Sequence, residues 1–130
     1  MLHHVEIYVE DLEKSRLFWS ELLELLSYEL YQTWSGGFSY KYEDTYLVFV
    51  QTEEKFLADG YHRKRIGLNH LAFHGGSKER VDFFRDKLKA AGVNLLYEDR
   101  YPFAGGENHY AVFFEDPDKM KVEICTEVTT

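Results

Sequence analysis

The stretch His4-Val5-Glu6-Ile7-Tyr8-Val9-Glu10-Asp11-Leu12 decides the fold. Val5, Ile7 and Val9 alternate with His4, Glu6 and Tyr8, which predicts a strand over 3–9 with one apolar and one polar face. Asp11 stands where a helix N-cap belongs, because a short carboxylate accepts from the free N–H groups of the first turn. A helical pattern runs from there to about Leu26, with Phe18, Leu22 and Leu25 as its apolar stripe.

The same order returns at an offset of 66 residues, which lays His4 over His70. Val5 then meets Leu71, Ile7 meets Phe73, Leu17 meets Phe83, Phe18 meets Phe84, Leu22 meets Leu88 and Leu25 meets Ala91, without a gap. A strand over 68–74 is followed by Ser77 as N-cap and a helix to about Ala91. Val81, Phe84, Leu88 and Ala91 lie on one face of that helix, and Gly92 stops it. Three strand-like segments follow each helix: 26–34, 37–43 and 45–52, then 94–98, 109–115 and 120–128. Gly36-Gly37, Glu43-Asp44 and Glu115-Asp116-Pro117-Asp118 supply turns between them. The expected organisation over 1–130 is a βαβββ module (1–52), a polar connector (53–67) and a second βαβββ module (68–130). The fold class is α+β, with two tandem modules forming a curved mixed sheet around a cleft and the helices outside.

The chain has 130 residues, 45% of them apolar, with 10 Phe, 10 Tyr and 2 Trp, which excludes intrinsic disorder. A net charge of −8 argues against nucleic-acid binding, since phosphate backbones would be repelled. The one dense basic run, His62-Arg63-Lys64-Arg65, reads as a solvated connector. A single cysteine, Cys125, cannot form an intrachain disulfide and suits a reducing compartment. Neither a signal-peptide pattern nor a membrane-length apolar run is visible, so the expectation is a cytoplasmic protein with no membrane partner.

Four passages carry a resemblance: His4–Leu12 as quoted, Asn69-His70-Leu71-Ala72-Phe73, Phe114-Glu115-Asp116-Pro117-Asp118 and Lys121-Val122-Glu123-Ile124. Together they resemble the vicinal oxygen chelate superfamily, which includes glyoxalase I, fosfomycin-resistance enzymes, extradiol dioxygenases and bleomycin-resistance proteins. The resemblance implies metal ligands on the first and last strands of each half, here His4, His70 and Glu123. The fourth position falls on Val48, which cannot bind a metal. It thus departs from the glyoxalase I pattern and leaves a set of two imidazoles and one carboxylate, suited to Fe, Mn, Ni, Zn or Co.

Glu6 points the same way as His4, as a general base or substitute ligand, or else as a rim carboxylate in water. Tyr8 and His74 sit four residues after His4 and His70 and are candidates for acid/base work, with wall packing and solvent exposure as the alternatives. The loop Gly105-Gly106-Glu107-Asn108-His109-Tyr110 resembles a segment closing over the site. It offers His109 and Tyr110 as substrate contacts, with a bulged hairpin as the plain alternative. Cys125 reads as an inert thiol, since the sequence places no basic partner beside it.

The implied function is a metal-dependent enzyme of lyase, isomerase or dioxygenase type, acting on a small substrate that chelates the metal through oxygens. The alternative is a sequestering protein of the bleomycin-resistance type. It would use Tyr8, Trp34, Tyr40 and Tyr46 as an aromatic binding face, with Tyr46 a substrate contact in either case. A homodimer, catalytic or not, is the expected assembly.

Overall fold

A computed structural model describes residues 1–126 of the chain. It divides into two compact units, Met1–Gly60 and Tyr61–Thr130. The first holds β1 (His4–Val9), α1 (Leu12–Leu25), β2 (Glu29–Trp34), β3 (Gly37–Tyr42) and β4 (Thr45–Gln51). The second holds β5 (His70–Gly76), α2 (Lys78–Ala90), β6 (Leu95–Leu96), β7 (Ala111–Glu115) and β8 (Lys121–Thr126). Both are βαβββ, with sheet orders β1-β4-β3-β2 and β5-β8-β7-β6. In each, the first strand runs parallel to the last, and the remaining pairs are antiparallel. Positions 127 and 128 of the expected last strand lie outside the described residues.

The N-caps stand where the sequence puts them. Asp11 accepts from the backbone N–H of Glu13 at 3.1 Å and of Lys14 at 3.3 Å, and Ser77 Oγ accepts from that of Arg80 at 3.1 Å. The core face of α1 is rotated from the expected stripe. Leu12, Ser15, Trp19, Leu22 and Leu23 are buried, while Phe18 and Leu25 lie at the margins. A helix with apolar residues at 17, 18, 19, 22, 23 and 25 offers more than one stripe, and the sheet selects among them. The Trp19 ring packs 5.0 Å from Phe49, which stacks 5.0 Å from Phe38. Truncating Trp19 to alanine should cost about 3–5 kcal/mol.

In the second unit, Val81, Phe84 and Leu88 of α2 are buried, as are Phe73, Val112, Phe114, Val122 and Ile124 of the strands it covers. Ala91, expected on that face, is the exposed C-cap instead. Beyond it Gly92 takes φ +79°, its N–H bonds Lys89 O at 3.1 Å, and Val93 N–H bonds Leu88 O at 3.0 Å. This is a Schellman ending, which needs a left-handed residue.

The expected strand 94–98 shrinks to two residues. Tyr97 adopts φ +57°, and the chain leaves the sheet for a short 3-10 turn over Glu98–Arg100. Pairing resumes only at Ala111, two residues later than expected. The basic run is not wholly solvated, because Arg63 Nη1 pairs with Glu115 Oε2 at 2.7 Å, both side chains being largely buried.

Candidate metal centre

Alternation along β8 sends Val122 and Ile124 to the helix side and Lys121, Glu123 and Cys125 to the opposite face. Their cross-strand neighbours share that face: His70, Ala72 and His74 on β5, and Ala111, Phe113 and Glu115 on β7. Glu123 is only 5% exposed although it is a carboxylate. Burying such a charge is costly unless a cation or strong donors meet it.

Two imidazoles meet it. His70 Nε2 lies 3.0 Å from Glu123 Oε1, and His109 Nε2 contacts Oε2. His70 Nδ1 lies 2.7 Å from Asn69 Oδ1, and with Nδ1–H as the donor there, Nε2 meets the carboxylate either as a second N–H or, in a neutral ring, as a lone pair. In the neutral ring, two acceptors at that distance need a cation between them, either a proton or a metal ion. Two ligands at about 2.1 Å from one ion, at right angles, stand about 3 Å apart, so the residues fit a divalent metal. An outer partner on the far ring nitrogen is also a usual feature of metal-bound histidine.

His109 owes its position to the loop before β7. The loop is tied down by Ala111 N–H to Pro102 O at 2.9 Å and His109 N–H to Gly106 O at 3.1 Å. A Cβ on Gly105 would lie 2.7 Å from His109 Cδ2 and 3.1 Å from Phe113 Cζ, so only glycine lets this loop close against the imidazole. Nearby, Lys121 Nζ donates to Tyr97 Oη at 3.2 Å and lies over the Phe113 and Tyr97 rings. Cys125 completes the face, its Sγ 3.6 Å from Phe73 O.

The first unit repeats the geometry with different chemistry. Register sets Glu6 beside Val48, as it sets Ala72 beside Glu123. Val48 is therefore the positional counterpart of Glu123, and the carboxylate of this unit stands one strand over, on Glu6. His4 joins His3 through their Nδ1 atoms at 2.8 Å, and His3 and Asn69 correspond at the offset of 66. The residue before the strand histidine thus engages Nδ1 in both units. Tyr46 stacks on His4 at 4.8 Å with the rings 7° apart. A β-bulge between Leu30 and Gln32 leaves Tyr31 with its ring 5.1 Å from Tyr46. Glu6 and Tyr8 are exposed on this face.

The profile of the Glyoxalase/Bleomycin resistance protein/Dioxygenase superfamily matches residues 1–124. The chain belongs to this superfamily. Among relatives of this superfamily member, the uncharacterized protein YqjT of Bacillus subtilis (strain 168) is 58% identical over 123 residues, covering 95% of this chain and 96% of that one. A crystal structure of a candidate glyoxalase from Bacillus halodurans is 62% identical with a TM-score of 0.96, covering 98% and 96% of the two chains. The fosfomycin resistance protein FosX of Listeria monocytogenes shares the fold at 22% identity and a TM-score of 0.72, covering 98% and 93%.

Of the residues expected at the superfamily site, His70, Glu123 and His109 come together in the second unit. His74 is exposed further along the same face of β5. His4, Glu6, Tyr8 and Tyr46 share one face of the first unit. Tyr110 is not brought to Glu123. Its hydroxyl donates to Asp82 of α2 at 2.6 Å, and the Tyr101 hydroxyl donates to the same oxygen. That bond, with burial second, raises the Tyr110 phenol above its ordinary pKa; burial, with Asp82 second, raises Tyr101. Tyr40 is a correction as well: it lies on the helix side of β3, 4% exposed, and so does not belong to an aromatic binding face.

Sequence reading missed Asn69 and His3 as partners of the strand histidines, and the placement of Cys125 beside His109. The last was within reach. The Glu115-Asp116-Pro117-Asp118 turn sets Glu115 opposite Lys121, so counting back gives Phe113 opposite Glu123 and Ala111 opposite Cys125. His109 then follows two residues before Ala111, in the loop that enters β7.

Proposed function

We propose that this chain is a metal-dependent enzyme acting on a small substrate that presents adjacent oxygens to the ion, by lyase, isomerase or dioxygenase chemistry. The observation that carries it is Glu123, buried between two imidazole nitrogens, one of them on a ring held through its far nitrogen by Asn69. The ligands would be His70 and Glu123, with His4 as the contribution of the first unit that superfamily resemblance implies. A divalent ion held there polarises a substrate oxygen and stabilises developing negative charge.

The chain's own residues do the rest. Asn69 and His3 hold the imidazoles in one ring orientation. Lys121, parked on Tyr97 beside Glu123, supplies positive charge for an anionic substrate group. Glu6, Tyr8 and His74 are the groups available to accept or return a proton. We place the protein in the cytoplasm as a homodimer; among the described residues no helix is long and apolar enough to cross a membrane.

The test is metal content and thermal stability of protein purified without chelators. A bound ion at 100 times its Kd raises stability by about 2.7 kcal/mol. His70→Ala should abolish both the metal and the added stability. Metal content unchanged by the substitution would overturn the proposal.

A second reading, a non-catalytic binding protein, is favoured by the first unit. There Val48 removes a ligand and Tyr46, Tyr31 and Trp34 offer an aromatic surface, Trp34 being 45% exposed. Tight binding of a planar ligand by metal-free protein, lost in Tyr46→Ala, would support it.

A further inference from the structure

Resting on the metal reading above for Glu123 alone, we propose that His109 and Cys125 join Glu123 as ligands of a thiophilic divalent ion of the zinc, cobalt(II) or nickel class. The ligating atoms of these three residues lie within 4.8 Å of one another. They come from the two strands β7 and β8 and the loop leading into β7, all inside the second unit. The repeat does not supply them: its ligand positions are on first and last strands, and the first-unit counterpart of Glu123 is Val48.

Three observations support a site here. The carboxylate has two oxygens and two imidazoles, so Oε2 faces His109 while Oε1 faces His70. Gly105 closes on the His109 ring so tightly that a Cβ would clash, which holds the imidazole over Glu123. Cys125 lies two residues from Glu123 on the same face of β8, half-buried, where a thiolate is shielded but within reach. Sulfur changes the metal preference. A nitrogen, oxygen and sulfur set favours borderline ions over manganese, magnesium or calcium. Metal binding would also displace the thiol proton, because only the thiolate ligates.

The test is titration of the purified full chain with cobalt(II) in the absence of oxygen. The expected result is a sulfur-to-cobalt charge-transfer band in the near ultraviolet together with visible d–d bands. Cys125→Ser should remove the charge-transfer band while visible bands persist at weaker affinity. His109→Gln should weaken binding by about 10- to 100-fold or more, given that even outer-shell changes cost that much. Both are conservative changes, and an unchanged far-ultraviolet circular dichroism spectrum shows that the fold is intact. In the wild type, zinc should slow alkylation of Cys125. Cobalt binding without a sulfur band, and unaffected by His109→Gln, would overturn this inference while leaving His70 and Glu123 as ligands. No binding of cobalt, zinc or manganese at all would overturn both proposals.

Discussion

The two units share a topology and a register but not a chemistry. In the second, a buried carboxylate sits between two histidines. In the first, the matching position is Val48, 3% exposed, and the strand histidine is stacked under a tyrosine instead. The backbone repeat therefore duplicates positions, while each side chain is chosen by what its own unit must do. The helices differ in the same way. At the offset of 66, Asp82 of α2 corresponds to Arg16 of α1. Asp82 accepts from Tyr101 and Tyr110, whereas Arg16 lies 4.8 Å over the Phe38 ring.

The largest expected effect comes from forcing the units to match. Val48→Glu puts a carboxylate into a buried position beside the carboxylate of Glu6. It should cost about 3 kcal/mol or more in urea melts, as an uncompensated buried charge does. Recovery of that loss by zinc would break the asymmetry, because the first unit could then hold an ion too.

Next is Asp82→Asn, which disturbs an acceptor that serves two phenols and should cost about 1–3 kcal/mol. The phenols of Tyr101 and Tyr110 are raised in the folded protein. Their contribution to stability is therefore complete below the unfolded tyrosine pKa of about 10 and is lost as pH climbs through the folded values. Absorbance titration should show Tyr101 and Tyr110 among the late-ionising tyrosines of the wild type, with Tyr28 and Tyr61, and Asp82→Asn should move only the first two back toward the ordinary range. Arg16→Ala in α1 should leave that titration unchanged.

The helix ends give a smaller and opposite pair. Both are Schellman endings, but α1 uses Ser27 at φ +71° where α2 uses Gly92 at φ +79°. Ser27→Gly should stabilise by about 0.5–1 kcal/mol and Gly92→Ala should destabilise by about 1 kcal/mol, since a Cβ penalises the left-handed conformation. Equal signs in thermal melts would show that these ends are not equivalent. The smallest effect is at Ser15, whose buried Oγ has no hydrogen-bond partner among the described residues and whose α2 counterpart is Val81. Ser15→Ala should be neutral or stabilising by up to about 1 kcal/mol, because it removes an unsatisfied hydroxyl.

These comparisons also show what was legible in the sequence. Period-two alternation over His4–Val9 and the two N-caps carried the modules, because backbone periodicity and capping act within a few residues. The stripe of α1 was misplaced because a run such as Leu17-Phe18-Trp19 is apolar on several faces, and only the opposing sheet decides which is buried. Strand β6 was overextended because Leu95-Leu96-Tyr97 reads as strand, while the left-handed turn at Tyr97 depends on contacts from elsewhere. At the site, strand register pairs Val48 with Glu6 and Glu123 with Ala72, the same position in each unit. Tyr110 and Tyr40 went to the helix side, a fact set by strand register and burial rather than by residue type.

Glu123 of the second unit is the proposed metal ligand, in a role that Glu6 of the first does not fill. Calorimetric titration of zinc or manganese into the wild type, Glu123→Gln and Glu6→Gln tests this directly. About one ion per chain should bind the wild type, with affinity falling by more than about 100-fold in Glu123→Gln, beyond the usual outer-shell loss. Glu6→Gln should change it by less than about 10-fold. Equal affinity in wild type and Glu123→Gln, or a loss in Glu6→Gln as large as in Glu123→Gln, would contradict it.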